Sequence, residues 1–259
     1  IDDWAFYKCG ALTDITISNK VSNIGEGAFC GCSKLSSIAI PTNVKNIGRR
    51  AFYECIALTN INLPASVENI GEEVFRGCRS LTSATIFESN IANISEGAFY
   101  DCISLTNIAL PSNLTSIGEW AFHGCVSLTN ITIPDSVVSI GDYLFSECNS
   151  LLNIALGNSI QNISNWAFRG CNSLKIVTIP DSVTSICICA FLECYSLISV
   201  TIGKNVSTIS NYAFDDCNNL NSLKFNGTRV QWRNIKKGDS WRDGAQIDSI
   251  QCIDGIVNV

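Results

Sequence analysis

Leucine stands at positions 12, 35, 58, 81, 105, 128, 151, 174, 197 and 220, at intervals of 23 residues with one interval of 24 between Leu81 and Leu105. A fixed period of this length means a solenoid, in which each coil buries its apolar side only against its neighbours. A non-repetitive chain of 259 residues would form one or two globular domains. The period replaces that expectation with one elongated core shared between coils. The sequence is therefore read as ten stacked lines.

Within each line the leucine opens Leu-x-x-Ile-x-Ile, with inward pairs such as Ile38/Ile40, Ile61/Leu63 and Ile131/Ile133. Apolar residues at alternate positions mark a strand. All five prolines (41, 64, 111, 134 and 180) follow this strand, where a residue without an N–H ends the ladder and starts a turn. A second apolar pair, Val-x-x-Ile, reads as a shorter strand, and all ten coils end it with Ile. Gly follows in five coils and Ser in three. Then comes x-x-Ala-Phe-x-x-Cys, whose spacing suits a single tight 3-10 or α turn with one face inward, and which is too short for a longer helix. Ten coils stacked at about 4.8 Å predict a rod of about 50 Å. The longer coil carries Phe87, Glu88, Ser89 and Asn90 where the others have Pro and two turn residues, which predicts a bulged turn with the core register kept.

Charges are few and the net charge is −6. With no basic stripe along the array, nucleic acid is excluded as the main partner. No apolar run is long enough to span a membrane. Ile1 opens the chain in mid-repeat, which reads as a fragment or a processed product, with any targeting segment outside the sequence in hand. Fourteen cysteines invite a disulfide framework, but ten of them (9, 32, 55, 78, 102, 125, 148, 171, 194 and 217) share one register position. A residue repeated in register is first a packing choice, and free cysteine behaves as a small buried hydrophobe. Bridges between neighbouring coils are the alternative.

The full line, Leu-x-x-Ile-x-Ile-Pro-x-x-Val-x-x-Ile-Gly-x-x-Ala-Phe-x-x-Cys, resembles the BspA-type (Treponema-type) leucine-rich repeat over about residues 1 to 225. The tail, with Phe225, Asn226, Gly227, Thr228, Trp232, Trp241 and Cys252, is similar to the C-terminal segment of many such bacterial proteins. The resemblance implies a surface-exposed or secreted protein with roles in adhesion to host proteins or other cells. It brings no shared catalytic residues, and a fold names no ligand.

Enzyme chemistry finds little support. His123 is the only histidine, which removes His-pair metal sites. Its register position is filled elsewhere by Tyr53, Arg76, Tyr100 and Arg169, which predicts an exposed side chain. The position just before the repeated Ala is more distinctive. It holds Trp120, Tyr143 and Trp166 in three successive coils and Tyr212 two coils later, against Gly27, Arg50, Glu73 and Gly97 in the N-terminal half. Side chains one period apart stack along a solenoid, so an aromatic stripe is expected on one edge, flanked by His123 and Arg169. Aromatic rings of this kind stack on sugars or anchor a protein partner. Self-stacking that covers the turn is the competing reading.

Other features carry two readings each. The outward residues of the main strand, among them Thr16, Ala39, Asn62, Thr132 and Thr201, make either a flat docking face or simply a well-formed sheet. The acids Glu72, Glu96, Glu119 and Asp142 form a cation ladder or, more economically, favour the start of a turn. Cys187, Cys189 and Cys194 lack the usual zinc spacing. The basic group around Arg229, Arg233 and Lys236 reads as a solvated face of the tail.

The expectations are therefore a leucine-rich-repeat solenoid, mostly β with short strands and a single 3-10 or α turn per coil. Ten coils, the first truncated, fill residues 1–225, and a cap fills 226–259, with Val230, Trp232 and Ile235 as the apolar side of a short helix. The expected function is non-enzymatic protein–protein interaction and adhesion at the cell surface or after secretion. Carbohydrate or cell-wall binding through the stripe, or a non-binding stalk, are the alternatives. No metal or other cofactor is expected, and the partner is an extracellular or host protein or a glycan.

Overall fold

The computed structural model describes residues 1–86 and 88–258 of the chain. It is a β-solenoid in which each coil has three arms. The first is the main strand, which pairs in parallel with its neighbours from Asn60–Asn62 through Ser83–Thr85, Asn107–Ala109 and Asn130–Thr132 to Asn153–Ala155. The register is one period per step, as in Asn153 opposite Asn130 and Ile154 opposite Ile131. A second sheet continues it through Ile176–Ile179, Ser199–Ile202, Ser222–Phe225 and Ser249–Cys252. In the first two coils Ile17, Ile38 and Ile40 are buried in the same way, but their segments form no ladder of their own.

The second arm is a short strand of two residues, such as Asn23–Ile24, Asn46–Ile47 and Asn69–Ile70. The Ile points inward while the preceding residue stays outside. The outer side carries an asparagine ladder in which Asn46 Nδ2 donates to Asn23 Oδ1 at 2.7 Å and Asn69 Nδ2 to Asn46 Oδ1 at 2.8 Å. The Gly or Ser that follows is set by close approach: a Cβ on Gly141 would lie 2.2 Å from the Glu119 backbone nitrogen. Where Ser stands instead, its hydroxyl uses that proximity, as in Ser164 Oγ donating to the Ile140 carbonyl at 2.6 Å.

The third arm is the Ala-Phe-x-x-Cys segment. The expected single turn is present as i→i−3 bonds, for example from His123 N–H to the Trp120 carbonyl (3.0 Å) and from Cys125 N–H to the Phe122 carbonyl (3.2 Å). Alternate N–H groups leave the coil altogether. Trp120, Phe122 and Gly124 donate to the carbonyls of Asp142, Leu144 and Ser146 in the next coil. A continuous helical turn cannot aim its N–H groups both ways. The chain does so by adopting positive φ just before the Ala and again two residues after the Phe, as at Trp120 (60°) and Gly124 (69°).

These arms enclose a core of repeated side chains. The phenylalanines Phe6, Phe29, Phe52, Phe75, Phe99, Phe122, Phe145, Phe168, Phe191 and Phe214 form one stack, with ring centroids 5.0–5.6 Å apart and planes within 2–25°. Each such pair adds about 0.5–1.5 kcal/mol beyond its buried area. The ten cysteines of the repeated position line up beside the stack as free thiols, buried from Cys32 onward.

At the 24-residue coil, Phe87 lies outside the described residues. Ser89 N–H and Oγ both reach the Ile86 carbonyl, at 3.0 and 2.6 Å. Ile91 is then fully buried, so the core resumes its register. After Phe225 the chain makes a longer coil. Helix α1 (Arg229–Asn234) begins at a capping box formed by Thr228 and Gln231. Trp232 and Ile235 turn inward, but Val230 remains 64% exposed and does not share their side. Lys236–Lys237 then pairs with Thr208–Ile209. Trp241 closes the phenylalanine stack edge-on at 6.3 Å from Phe214. Gly255–Asn258 returns antiparallel along Ser249–Cys252 and finishes the sheet.

Candidate functional site

The stripe position has positive φ in every coil described, and this shapes what its side chains do. For a residue with a Cβ this conformation costs about 1–2 kcal/mol relative to glycine. Trp120, Tyr143, Trp166 and Tyr212 nevertheless adopt it, at φ 57–60°. The structure brings the first three together. Trp120 and Tyr143 stack with centroids 4.0 Å apart and planes 8° apart, and Tyr143 and Trp166 follow at 5.7 Å and 4°. Tyr212 stands apart, 43% exposed, because buried Cys189 occupies the intervening coil.

His123 is not exposed as its register position predicts. Its ring is half-buried between Tyr100, 4.7 Å away, and the edge-on ring of Trp120 at 5.3 Å. Burial lowers its pKa against the opposing pull of Asp101, so the imidazole is neutral at neutral pH. Its Nδ1 is buried without a hydrogen-bond partner. Arg169 flanks the stripe less closely, 6.0 Å from the Trp166 ring centre, because Glu147 and Glu193 hold its guanidinium at 2.7 and 3.0 Å.

Three parts of this surface escaped the sequence reading. Trp4 has the stripe register in the first coil and lies over Gly27, where a Cβ would come within 2.2 Å of its ring. Tyr100 joins the His123 cluster from one coil earlier. Glu73, only 12% exposed at its side chain, receives both Arg50 Nε and Arg76 Nη1, and the Arg76 guanidinium lies 4.2 Å from the Tyr100 ring centre. The signal was available in the columns, since Arg50 and Glu73 are one period apart, but a charged residue in an otherwise aromatic column reads as an interruption.

Between Glu73 and Trp120 the stripe has a gap. Gly97 supplies no side chain, and a cleft of about 250 Å³ opens there, lined by Glu73, Arg76, Glu96, Gly97, Tyr100 and Trp120. On the main sheet the outward face is small and polar in most coils. In three successive coils exposed apolar residues replace the Thr, Ser or Asn at the strand start: Leu152 and Ile198 just before their strands and Ile176 at the first strand residue, 44, 44 and 63% exposed.

Among the described residues no three His, Cys, Asp or Glu side chains converge on a point where a metal could sit. Cys194 donates to the Phe168 carbonyl while Cys187 faces the Ser185 hydroxyl. Among the described residues no helix is long and apolar enough to cross a membrane.

Comparison with known proteins agrees with this geometry. No curated protein matches the chain. A leucine-rich repeat protein from Eubacterium ventriosum superposes with a TM-score of 0.60 at 21% identity, covering 95% of this chain and 80% of that one. The T. pallidum leucine-rich repeat protein gives 0.51 at 24% identity, covering 88% and 89%. A leucine-rich cell surface protein from Faecalibacterium prausnitzii is 28% identical over 90% of this chain and 78% of that one, with a TM-score of 0.49. The model of the BspA type leucine-rich repeat region matches residues 1–128 and 115–235. With the repeat register, the three-armed coil and this match in agreement, the chain belongs to the BspA-type leucine-rich repeat family.

Proposed function

We propose that this chain is a cell-surface or secreted binding protein that adheres to an extracellular or host protein and performs no catalysis. Family membership supports the location. The observation that carries the binding mode is the set of exposed apolar residues at the start of three successive main strands. Elsewhere the face is made of short polar side chains that bond along the rod, such as Asn153 Nδ2 to Asn130 Oδ1 at 2.9 Å and Thr59 Oγ1 to the Ser36 carbonyl at 3.2 Å. Leu152, Ile176 and Ile198 gain nothing from that pattern and stand exposed in three successive coils, with Lys175 between Leu152 and Ile198 in their shared column, as residues of a docking surface do.

The test is capture of the chain on immobilised extracellular-matrix proteins, beside a Leu152→Asn/Ile176→Ser/Ile198→Thr variant that restores the polar columns. Capture that the variant loses supports the reading. Capture that it retains in full removes this face from the interaction.

A second reading, glycan binding by the stripe, is favoured by the half-buried rings of Trp120 and Trp166. Its test is a glycan array with the Trp120→Ala/Trp166→Ala variant, and unchanged glycan binding in that variant removes it. A purely architectural stalk predicts neither interaction.

A further inference from the structure

The stripe is not uniform, and its gap has a built geometry. Trp4 leans onto Gly27 in the following coil, and Trp120 likewise lies against Tyr143 in the following coil. The rings thus cover what comes after them. The face of Trp120 that looks back toward Gly97 has no stacked ring from the coil before, since the Tyr100 ring stands 6.2 Å off and is tilted by 39°. A Cβ added to Gly97 would meet the Glu73 Cγ at 3.2 Å, and after it nothing nearer than the Tyr100 Cβ at 3.9 Å. The space beyond it is the cleft.

The opposite wall is polar and nearly neutral. Glu73 is held by Arg50 and Arg76 together, and burial, which would push its carboxyl up, is outweighed by these two guanidiniums, so it stays ionised below its ordinary range. Arg76 carries N–H donors beyond the one that Glu73 takes, and Glu96 stands exposed at the rim as an acceptor. A wall whose charges are compensated favours neither a cation nor an anion strongly. It offers donors and acceptors side by side. An aromatic face opposite such a wall suits a ring with an apolar side and hydroxyl edges. At about 250 Å³ the cleft lies just below the roughly 300–1,000 Å³ usual for small-molecule sites, which is room for one ring.

We propose that the Gly97 cleft binds a single neutral pyranose unit of a glycan. The C–H face lies on Trp120, and the hydroxyls bridge Arg76, Glu73 and Glu96. This rests on the glycan reading of the stripe and gives it a terminal subsite, with the remainder of a longer glycan running over Tyr143 and Trp166.

The experiment is saturation-transfer NMR on the whole chain with four probes: the methyl glycosides of glucose, galactose, mannose and N-acetylglucosamine. Tetramethylammonium and methyl phosphate serve as charged controls. Gly97→Tyr is the decisive variant. It fills the cleft at a φ of 59°, against 57° at Tyr143, and its thermal unfolding checks the fold.

The expected result is transfer to ring C–H protons of at least one glycoside, weakened at least about tenfold by Gly97→Tyr and lost in Trp120→Ala. Binding of the charged controls in place of the glycosides overturns the assignment. Glycoside binding that Gly97→Tyr leaves intact but Trp166→Ala abolishes overturns the cleft and leaves the stripe reading standing. No glycoside signal, with an array also empty, overturns both.

Discussion

Cys125 Sγ donates to the Phe99 carbonyl oxygen at 3.2 Å, and that same oxygen receives the Cys102 N–H at 3.2 Å. The pattern repeats from Cys32 on Phe6 to Cys217 on Phe191. It explains why a small buried hydrophobe is cysteine and not alanine: the thiol gives a buried carbonyl its second partner. Cys125→Ala leaves that oxygen with one bond and removes one sulfur from the core. The expected cost is about 1–2 kcal/mol, read as a lower urea midpoint. A midpoint unchanged within error would mean the thiol bond contributes nothing.

The same thiols make stability depend on alkaline pH. Burial pushes Cys32 up to about 11 and Cys78 up to about 12, and raises Cys55, Cys102, Cys125, Cys148, Cys171 and Cys194 as well. In the unfolded chain these groups ionise near pH ~8.5. Above that pH the unfolded state releases protons that the fold retains, so stability falls as pH rises. Each such thiol contributes up to about 1.4 kcal/mol per pH unit. Urea midpoints measured at pH 7, 9 and 10 should drop with increasing slope, and a flat profile would contradict the buried ladder.

Tyr143 offers a reversal of a common rule. Its φ of 57° favours glycine, while its ring stacks on both Trp120 and Trp166. Tyr143→Ala loses the stacking and keeps the backbone cost. Tyr143→Gly loses the stacking and relieves that cost. Glycine should therefore be the milder substitution by about 1 kcal/mol, and thermal unfolding of the two variants side by side decides it.

Glu73→Gln should cost about 1–2 kcal/mol, because it withdraws a charge from two guanidiniums that are themselves partly solvated. The sign with pH follows from the lowered carboxyl: its contribution is present above about pH 4.3 and is lost as pH falls through the depressed native value. The gap between wild type and variant in urea should thus be wide at pH 7 and narrow at pH 3. A gap equally wide at both would assign the effect to packing.

Much of this was legible from the repeat. The inward Ile, Val, Phe and Cys columns all face the core, because a periodic apolar residue in a solenoid has nowhere else to go. The stacking of Trp120, Tyr143 and Trp166 followed from register alone. What register could not give was direction. Val230 sits near Trp232 in sequence but turns to solvent, since a helix of one and a half turns has a single inward position to offer. His123 was read as exposed from the company of Arg76 and Arg169, yet its neighbours Tyr100 and Trp120 are aromatic and close over it. The Ala-Phe-x-x-Cys arm reads as a small helical turn because the spacing of Ala, Phe and Cys does not reveal the backbone sign of the residues between them. The cleft at Gly97 depends on which way the neighbouring rings lean, which no column records.

That third arm has a mechanical consequence. The short-strand ladder breaks between Ile70 and Asn93 and again between Ile140 and Asn162, and the main ladder breaks between Ala155 and Ile176. Across each of these seams the turn arm stays continuous, with three bonds from one coil to the next: Glu73, Phe75 and Gly77 to Glu96, Ala98 and Tyr100 at the first, Tyr143, Phe145 and Glu147 to Asn165, Ala167 and Arg169 at the second, and Trp166, Phe168 and Gly170 to Ile188, Ala190 and Leu192 at the third. The line runs from Trp4 to Asp243. When a partner held by this molecule is pulled away, tension along the axis passes through whichever bonds cross every seam. Among the described residues, the segment that forms neither strand nor regular helix is the arm whose backbone bonds carry that load unbroken from end to end.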